Sequence, residues 1–231
     1  MRKAYHPATR RGFGKARESA ASGKTPRKKP LKRPSQDRAK FTVQAIYDAF
    51  VRIWRSEGCA GITTRAVALD TGISVGTLYD YFPNKHALLS GYVRHAMEVL
   101  VDRIDHEVVQ PRGLDWEARV RGLVRLSCGI GRPDLPHIDH EMLTLIDEIA
   151  EPKHHRRVFE ELSAIWGKAF AACKDLPDPP DRRAVVSLFS AVWCARRYLM
   201  LIEPKQFDWN AWALEMERLC CARVARRLPP D

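Results

Sequence analysis

The 231-residue sequence predicts an all-α protein: a three-helix N-terminal domain containing a helix-turn-helix, followed by a larger helical domain. Three observations predict this. From residue 36 onward, apolar residues recur at i, i+3, i+4 and i+7, the spacing that lines one face of a helix. No stretch shows the strict alternation of a half-buried strand. Glycines and prolines fall between the apolar stripes, most plainly in the run DLPDPPD at Asp175–Asp181.

Residues 1–35 stand apart. They hold twelve of the 39 basic residues and only one, Glu18, of the 28 acidic ones, so the whole formal charge of +11 sits there. The segment is rich in Lys, Arg, Pro, Gly and Ser and has almost no periodic apolar residues. It cannot bury enough surface to offset its ordering entropy and reads as a disordered basic tail. Two roles stay open for it: an arm that holds DNA phosphates without reading sequence, and a solubilising tail. The remaining chain divides into a smaller helical domain over 36–91, with the helix-turn-helix at 63–82, and a larger helical domain over 92–231.

Ser35 or Asp37 opens the first helix, which should run to about Glu57. Val43, Ile46, Tyr47, Phe50, Ile53 and Trp54 form its apolar stripe, and Gly58 and Gly61 end it. Thr63 is placed to cap a second, short helix with Val67 and Ala68 inward. Gly72 sits where a helix end needs a residue tolerant of positive φ. Ser74 caps a third helix that buries Leu78, Phe82 and part of Tyr81. Val75, Gly76, Thr77 and Tyr79 are left on its outer side, small or flat enough to approach base edges and phosphates. The same spacings also fit an ordinary αα-corner.

Asn84 caps a long helix to about Val109, with Leu88, Leu89, Tyr92, Val93, Ala96, Leu100 and Ile104 on one face. Pro111 and Gly113 stop it. It leaves the first domain and enters the second, so it is their mechanical link. Further helices are expected over Trp116–Ile130, Ile138–Ala150, Pro152 to about Phe170, Arg182–Ile202 and Asp208–Leu228. The last two are apolar over more than one face: Val185, Leu188, Phe189, Val192 and Leu199 on one, Trp212, Met216 and Leu219 on the other. Such helices are either central to a domain or meet a partner. The longest apolar stretch, Leu188–Ala195, is halted by Arg196 and Arg197, far short of a membrane span.

No metal or cofactor site is expected. His137-x-x-His140-Glu141 matches neither zinc-helix pattern, and it begins in a Pro-rich loop. His154 and His155 are adjacent and point apart on a helix. The six cysteines (Cys59, Cys128, Cys173, Cys194, Cys220, Cys221) form no C-x-x-C pair, so they read mainly as small buried hydrophobes. With no apolar secretory segment at the N-terminus, a cytoplasmic location is expected.

The run TTRAVALDTGISVGTLYDYFPNK, Thr63–Lys85, resembles the DNA-binding domain of TetR/AcrR-type transcriptional regulators. The glycines, caps, aromatics and terminal lysine all fall in register. The resemblance reaches back through Arg38–Gly58 and forward to about Tyr92. Cys59 and Thr71 depart from the pattern, both at packing positions. The resemblance implies a homodimeric, ligand-responsive repressor on a near-palindromic operator, with no enzymatic activity. Each protomer would place the helix from Ser74 to Phe82 in a major groove. Thr63, Thr64, Arg65, Tyr79 and Lys85 would hold phosphates, while Val75, Gly76, Thr77 and Tyr79 would meet bases. The last two helices would pair with their copies. The effector would be a small apolar or aromatic molecule near Trp116, Met142, Trp166 and Phe170, residues that equally fit a plain core. A ligand-independent DNA-binding protein, an activator and, last, an enzyme using the His137–Glu141 region stay open.

If the tail grips phosphates, each one neutralised steepens log K against log[salt] by ~0.9. Deleting residues 1–35 should then flatten the salt dependence on operator and random DNA alike in fluorescence-anisotropy titrations, leaving their ratio nearly unchanged. Loss of operator preference alone would mean that the tail reads bases.

Overall fold

The structure, a computed structural model, describes residues 37–202 and 207–225. The basic segment 1–35, with Ser35, and the expected last turn of the final helix lie outside them. Among the described residues all regular structure is helical. The first helix, α1, spans Asp37–Gly61 and buries Ile46, Tyr47, Phe50, Ile53 and Trp54. Its regular part ends where the sequence expects, because Gly58 takes φ 64°, ψ −162° inside that span. A short α2 (Thr64–Thr71) and α3 (Val75–Tyr81) follow. Next comes α4 (Lys85–Ile104), which continues into a π-helical turn at Asp105–Val109. Arg119 closes that turn: its guanidinium donates to the carbonyls of Val108, Val109 and Pro111. These bonds satisfy carbonyls that a helix end leaves without partners.

The rest of the chain forms α5 (Trp116–Cys128), α6 (His140–Ile149), α7 (Pro152–Ala171), α8 (Arg182–Ile202) and α9 (Trp209–Ala225). Asp115 and Asp139 cap α5 and α6 through the amides of Ala118 and Met142, and Pro152 opens α7 at the position where its missing N–H costs nothing. Helix α5 packs against α7, α8 and α9. The Arg125–Glu217 ion pair at 2.7 Å ties α5 to α9.

Two apolar cores result, and they do not divide at residue 91. The larger joins α4, α5, α7, α8 and α9 around Trp166, Phe189, Leu123 and Leu162. The smaller is built on α1 to α4, yet Met142, Ile146 and Ile149 of α6 are buried in it as well. Helix α6 therefore completes the core of the N-terminal domain although it lies some fifty residues downstream in the chain.

Asp139 fixes this crossing. Its carboxylate accepts from the Trp54 indole at 2.8 Å and from the Met142 amide at 2.9 Å, and lies 3.2 Å from His137 Nε2. Beside it, the Tyr92 hydroxyl donates to the His137 carbonyl at 2.8 Å. Thus α1, α4 and the start of α6 are tied at one point.

Helix α8 is, by length and composition, apolar enough to cross a membrane, although the sequence reading stopped its apolar run at Arg196. Its Val185, Leu188, Phe189 and Val192 are instead packed inside the larger core.

Burial pushes the Asp139 carboxyl up, but the bonds from His137, the Met142 amide and Trp54 outweigh it and hold its pKa down at about 2. A carboxyl with a depressed folded pKa stabilises the fold above its unfolded pKa and loses that contribution as pH falls toward the folded one. Asp139→Asn should therefore cost roughly 1–2 kcal/mol at pH 7. In thermal melts, the gap between variant and wild type should narrow as pH drops from about 4 to about 2. A gap that stays constant with pH would contradict the charged bond.

Candidate nucleic-acid interface

The turn between α2 and α3 is built from local chemistry. Thr63 accepts from the Ala66 amide and Ser74 from the Thr77 amide, each at 3.0 Å. Gly72 adopts φ 74°, ψ 24°, a conformation that side chains with a Cβ rarely take. Its amide and that of Ile73 close the end of α2 onto Leu69 and Ala68 at 3.1 and 3.0 Å. Val67, Ala68, Leu78 and Phe82 are buried, and Tyr81 is more deeply buried than the sequence reading has it.

What remains outward is the set singled out in the sequence. Thr63, Arg65, Ser74, Val75, Gly76, Tyr79 and Lys85 are exposed, and Thr64 and Thr77 are half-buried. The Thr64 and Tyr79 hydroxyls lie 3.2 Å apart, which locks the start of α2 to the outer side of α3. Ser74 and Thr77 hydroxyls lie 2.9 Å apart, so Ser74 is largely committed to its cap. Lys85 stands in the first turn of α4 beside the Asn84 cap, which accepts from Ala87 at 2.8 Å. Free amides and the helix dipole there favour an anion. Sequence reading missed the ion pair of Arg52 with Asp70 at 2.6 Å, which braces α1 against α2; nothing local signals a pair 18 residues apart.

The four residues assigned to the effector do not come together. Trp166 and Phe170 are core, ring centroids 6.3 Å apart, with the Trp166 indole donating to Ser127. Met142 is fully buried in the other core. Trp116 begins α5, its amide donating to Asp175. A cleft of about 810 Å³ lies elsewhere, between the ends of α5 and α8 and the starts of α6 and α9. Its walls carry Ile130, Ile138, Leu199, Met200 and Trp209, with Asp139 and Arg196 among the polar groups. Of the effector and dimer candidates, only Leu199 reaches it.

The residues assigned to the dimer also separate. Val185, Leu188, Phe189 and Val192 are buried within the chain and cannot form an outer surface; Leu199, Trp212 and Met216 are half-buried; Leu219 is exposed. Tyr198, Ile202 and Leu214, absent from the sequence assignment, are exposed as well, Tyr198 at 64%.

His137 serves Asp139, and among the described residues no three His, Cys, Asp or Glu side chains gather as a metal site. Burial pushes the Cys128 and Cys220 thiols up to about 12 and Cys173 to about 11, so at neutral pH they are protonated and weakly nucleophilic.

Residues 46–91 match the family of bacterial regulatory proteins designated tetR. No curated protein matches the chain in sequence. Solved structures share its fold. The fatty acid degradation regulator FadR from Bacillus halodurans has a TM-score of 0.57 at 18% identity, over 82% of this chain and 96% of its own. A TetR-family transcriptional regulator from Streptomyces coelicolor has 0.56 at 19%, over 81% and 99%. FadR from Bacillus subtilis, solved with stearoyl-CoA, has 0.54 at 13%, over 78% and 97%. The match to the tetR family of bacterial regulatory proteins thus lies in residues 46–91, and the chain shares the fold of these solved regulators.

Proposed function

We propose that this regulator is a ligand-responsive repressor that binds a near-palindromic operator as a homodimer in the cytoplasm. One observation carries the reading: Thr63, Arg65, Val75, Gly76, Tyr79 and Lys85 are exposed around a turn whose two helices are locked by the Thr64–Tyr79 hydroxyl contact. A rigid, small-residue helix face flanked by phosphate-holding groups is what major-groove readout requires. Phosphate contacts position the protein and base edges carry the sequence information.

The response to ligand runs through α6. A small molecule in the 810 Å³ cleft would touch Ile138 and Asp139, and Asp139 is bonded to Trp54 of α1. Shifting the start of α6 then shifts the support of the helix-turn-helix and the spacing of the two recognition helices. The energy required is modest, since typical coupling is ~1–3 kcal/mol, or ~5–150-fold in affinity. The B. subtilis FadR solved with stearoyl-CoA, a relative by fold, supports a ligand-holding role for the helical domain.

Operator selection from random DNA followed by quantitative gel shifts tests the DNA reading. Thr77→Ala should change which operator variants bind best, whereas Lys85→Ala should weaken all of them alike by about 3–10-fold. Uniform loss in both variants would remove Thr77 from base readout.

The dimer would use the outer faces of α8 and α9, where Tyr198, Ile202, Leu214 and Leu219 are exposed. Soluble monomers rarely leave so many large apolar groups on adjoining helices. Ile202→Glu with Leu219→Glu should give monomers in sedimentation and abolish operator binding, with helical content retained. A wild type that sediments as a monomer at micromolar concentration would refute the assembly.

A further inference from the structure

Arg196, in the last two turns of α8, borders the cleft and is half-buried. Its Nε donates to the Cys128 carbonyl at 2.8 Å, and the guanidinium carbon stands 5.9 Å from the centroid of the Trp193 ring. Among the described residues no carboxylate pairs with it. The other half-buried arginines of this domain differ: Arg94 pairs with Glu98, Arg103 and Arg132 with Glu107 and Asp134, Arg197 with Asp147, and Arg223 with Asp178. Arg119, the buried one, spends its two Nη atoms on three backbone carbonyls.

A guanidinium carries five N–H donors, of which Arg196 has committed one. Burial lowers its pKa from the ordinary value, and among the described residues no carboxylate offsets that loss. Holding a charge out of water without a counter-charge is costly, so such groups are normally paired. The wall beside it leaves room for a partner. Gly129 takes φ 67°, and a Cβ there would stand 3.4 Å from Arg196 Nη2. The carboxylate of Asp139 on the same cleft is no competitor, because Trp54, the Met142 amide and His137 already occupy its oxygens. Ile130, Ile138, Leu199, Met200 and Trp209 supply apolar wall, and His140 and Asn210 stand beside them as polar lining.

We infer that the cleft between α5, α6, α8 and α9 binds an organic anion, a carboxylate or phosphate group on an apolar body, with Arg196 as its counter-charge. The assignment rests on the ligand-responsive reading above and names the class of effector. The head group takes the free Nη donors, and the apolar body lies along Leu199, Met200 and Trp209.

Calorimetric titration of the full chain with decanoate, decyl phosphate, decanol and decylamine tests it without DNA. At least one of the two anions should bind about tenfold or more tightly than decanol, the increment of a charge-assisted pair, and decylamine more weakly still. Arg196→Met should lose that advantage while its decanol affinity stays within about twofold, and Arg196→Lys should keep part of it. Comparing the two anions tells carboxylate from phosphate. Equal binding of decanol and both anions, no binding of either anion, or undiminished anion binding in Arg196→Met would overturn the assignment. The head-group preference of the wild type carries the test even if Arg196→Met fails to fold. Failure to select an operator sinks the regulator reading separately and leaves a measured anion preference standing.

Discussion

The bond between the Asp139 carboxylate and the Trp54 indole, at 2.8 Å across 85 residues of sequence, is the constraint on which the two-part architecture depends. The same carboxylate caps α6 and takes part in a polar knot joining α1, α4 and α6. Magnitudes separate its role from that of packing. Burying Met142, Ile146 and Ile149 against the N-terminal core is worth roughly 1.5–3 kcal/mol per side chain, several times one charged hydrogen bond. Apolar contact therefore holds α6 in place, and Asp139 decides where along α1 its first turn sits. A hydrogen bond to a charged group contributes about 1.5–3 kcal/mol, the same size as a whole allosteric coupling.

The helix-turn-helix obeys a different logic. Its stability is assembled from short-range parts: two hydroxyl caps, one left-handed glycine and a buried Val67–Ala68–Leu78–Phe82 contact set. The hydroxyls that face outward are already engaged, Thr64 with Tyr79 and Ser74 with Thr77. That arrangement lowers the entropy of the recognition surface before DNA arrives, at the cost of donors that must be shared on binding.

This contrast explains what was legible in the sequence. Thr63, Gly72, Ser74 and Asn84 each announce a backbone need met within three or four residues, so caps, turn and recognition helix could be read directly. The apolar face of α6 was legible too, but periodicity says which side is inward and not which core it enters. Met142 therefore passed as an effector residue when it packs beneath the DNA-binding domain. On α8, periodicity marks an apolar face and does not say whether that face meets the chain's own core or the outside. Only the fold separates Val185, Leu188, Phe189 and Val192, packed on α5 and α7, from the outward Tyr198 and Ile202. Trp166 and Phe170 are buried in the larger core, and residue type alone does not tell a core aromatic from one that lines a ligand site. Arg196 was read as the residue that ends an apolar run, which is true and hides its position on the cleft.

Arg196 and Arg197 are adjacent on α8, yet they reach different helices. Arg197 pairs with Asp147 of α6, while Arg196 donates to the Cys128 carbonyl at the end of α5. The end of α8 thus clasps both helices whose termini frame the cleft. One of those helices, α6, carries the Asp139 bond at its start and the Arg197 pair at its other end. This ten-residue helix is held at both ends, and its buried face belongs to the N-terminal core. Helix α4 contributes to both cores, and α6 joins the wall of the cleft to the smaller one.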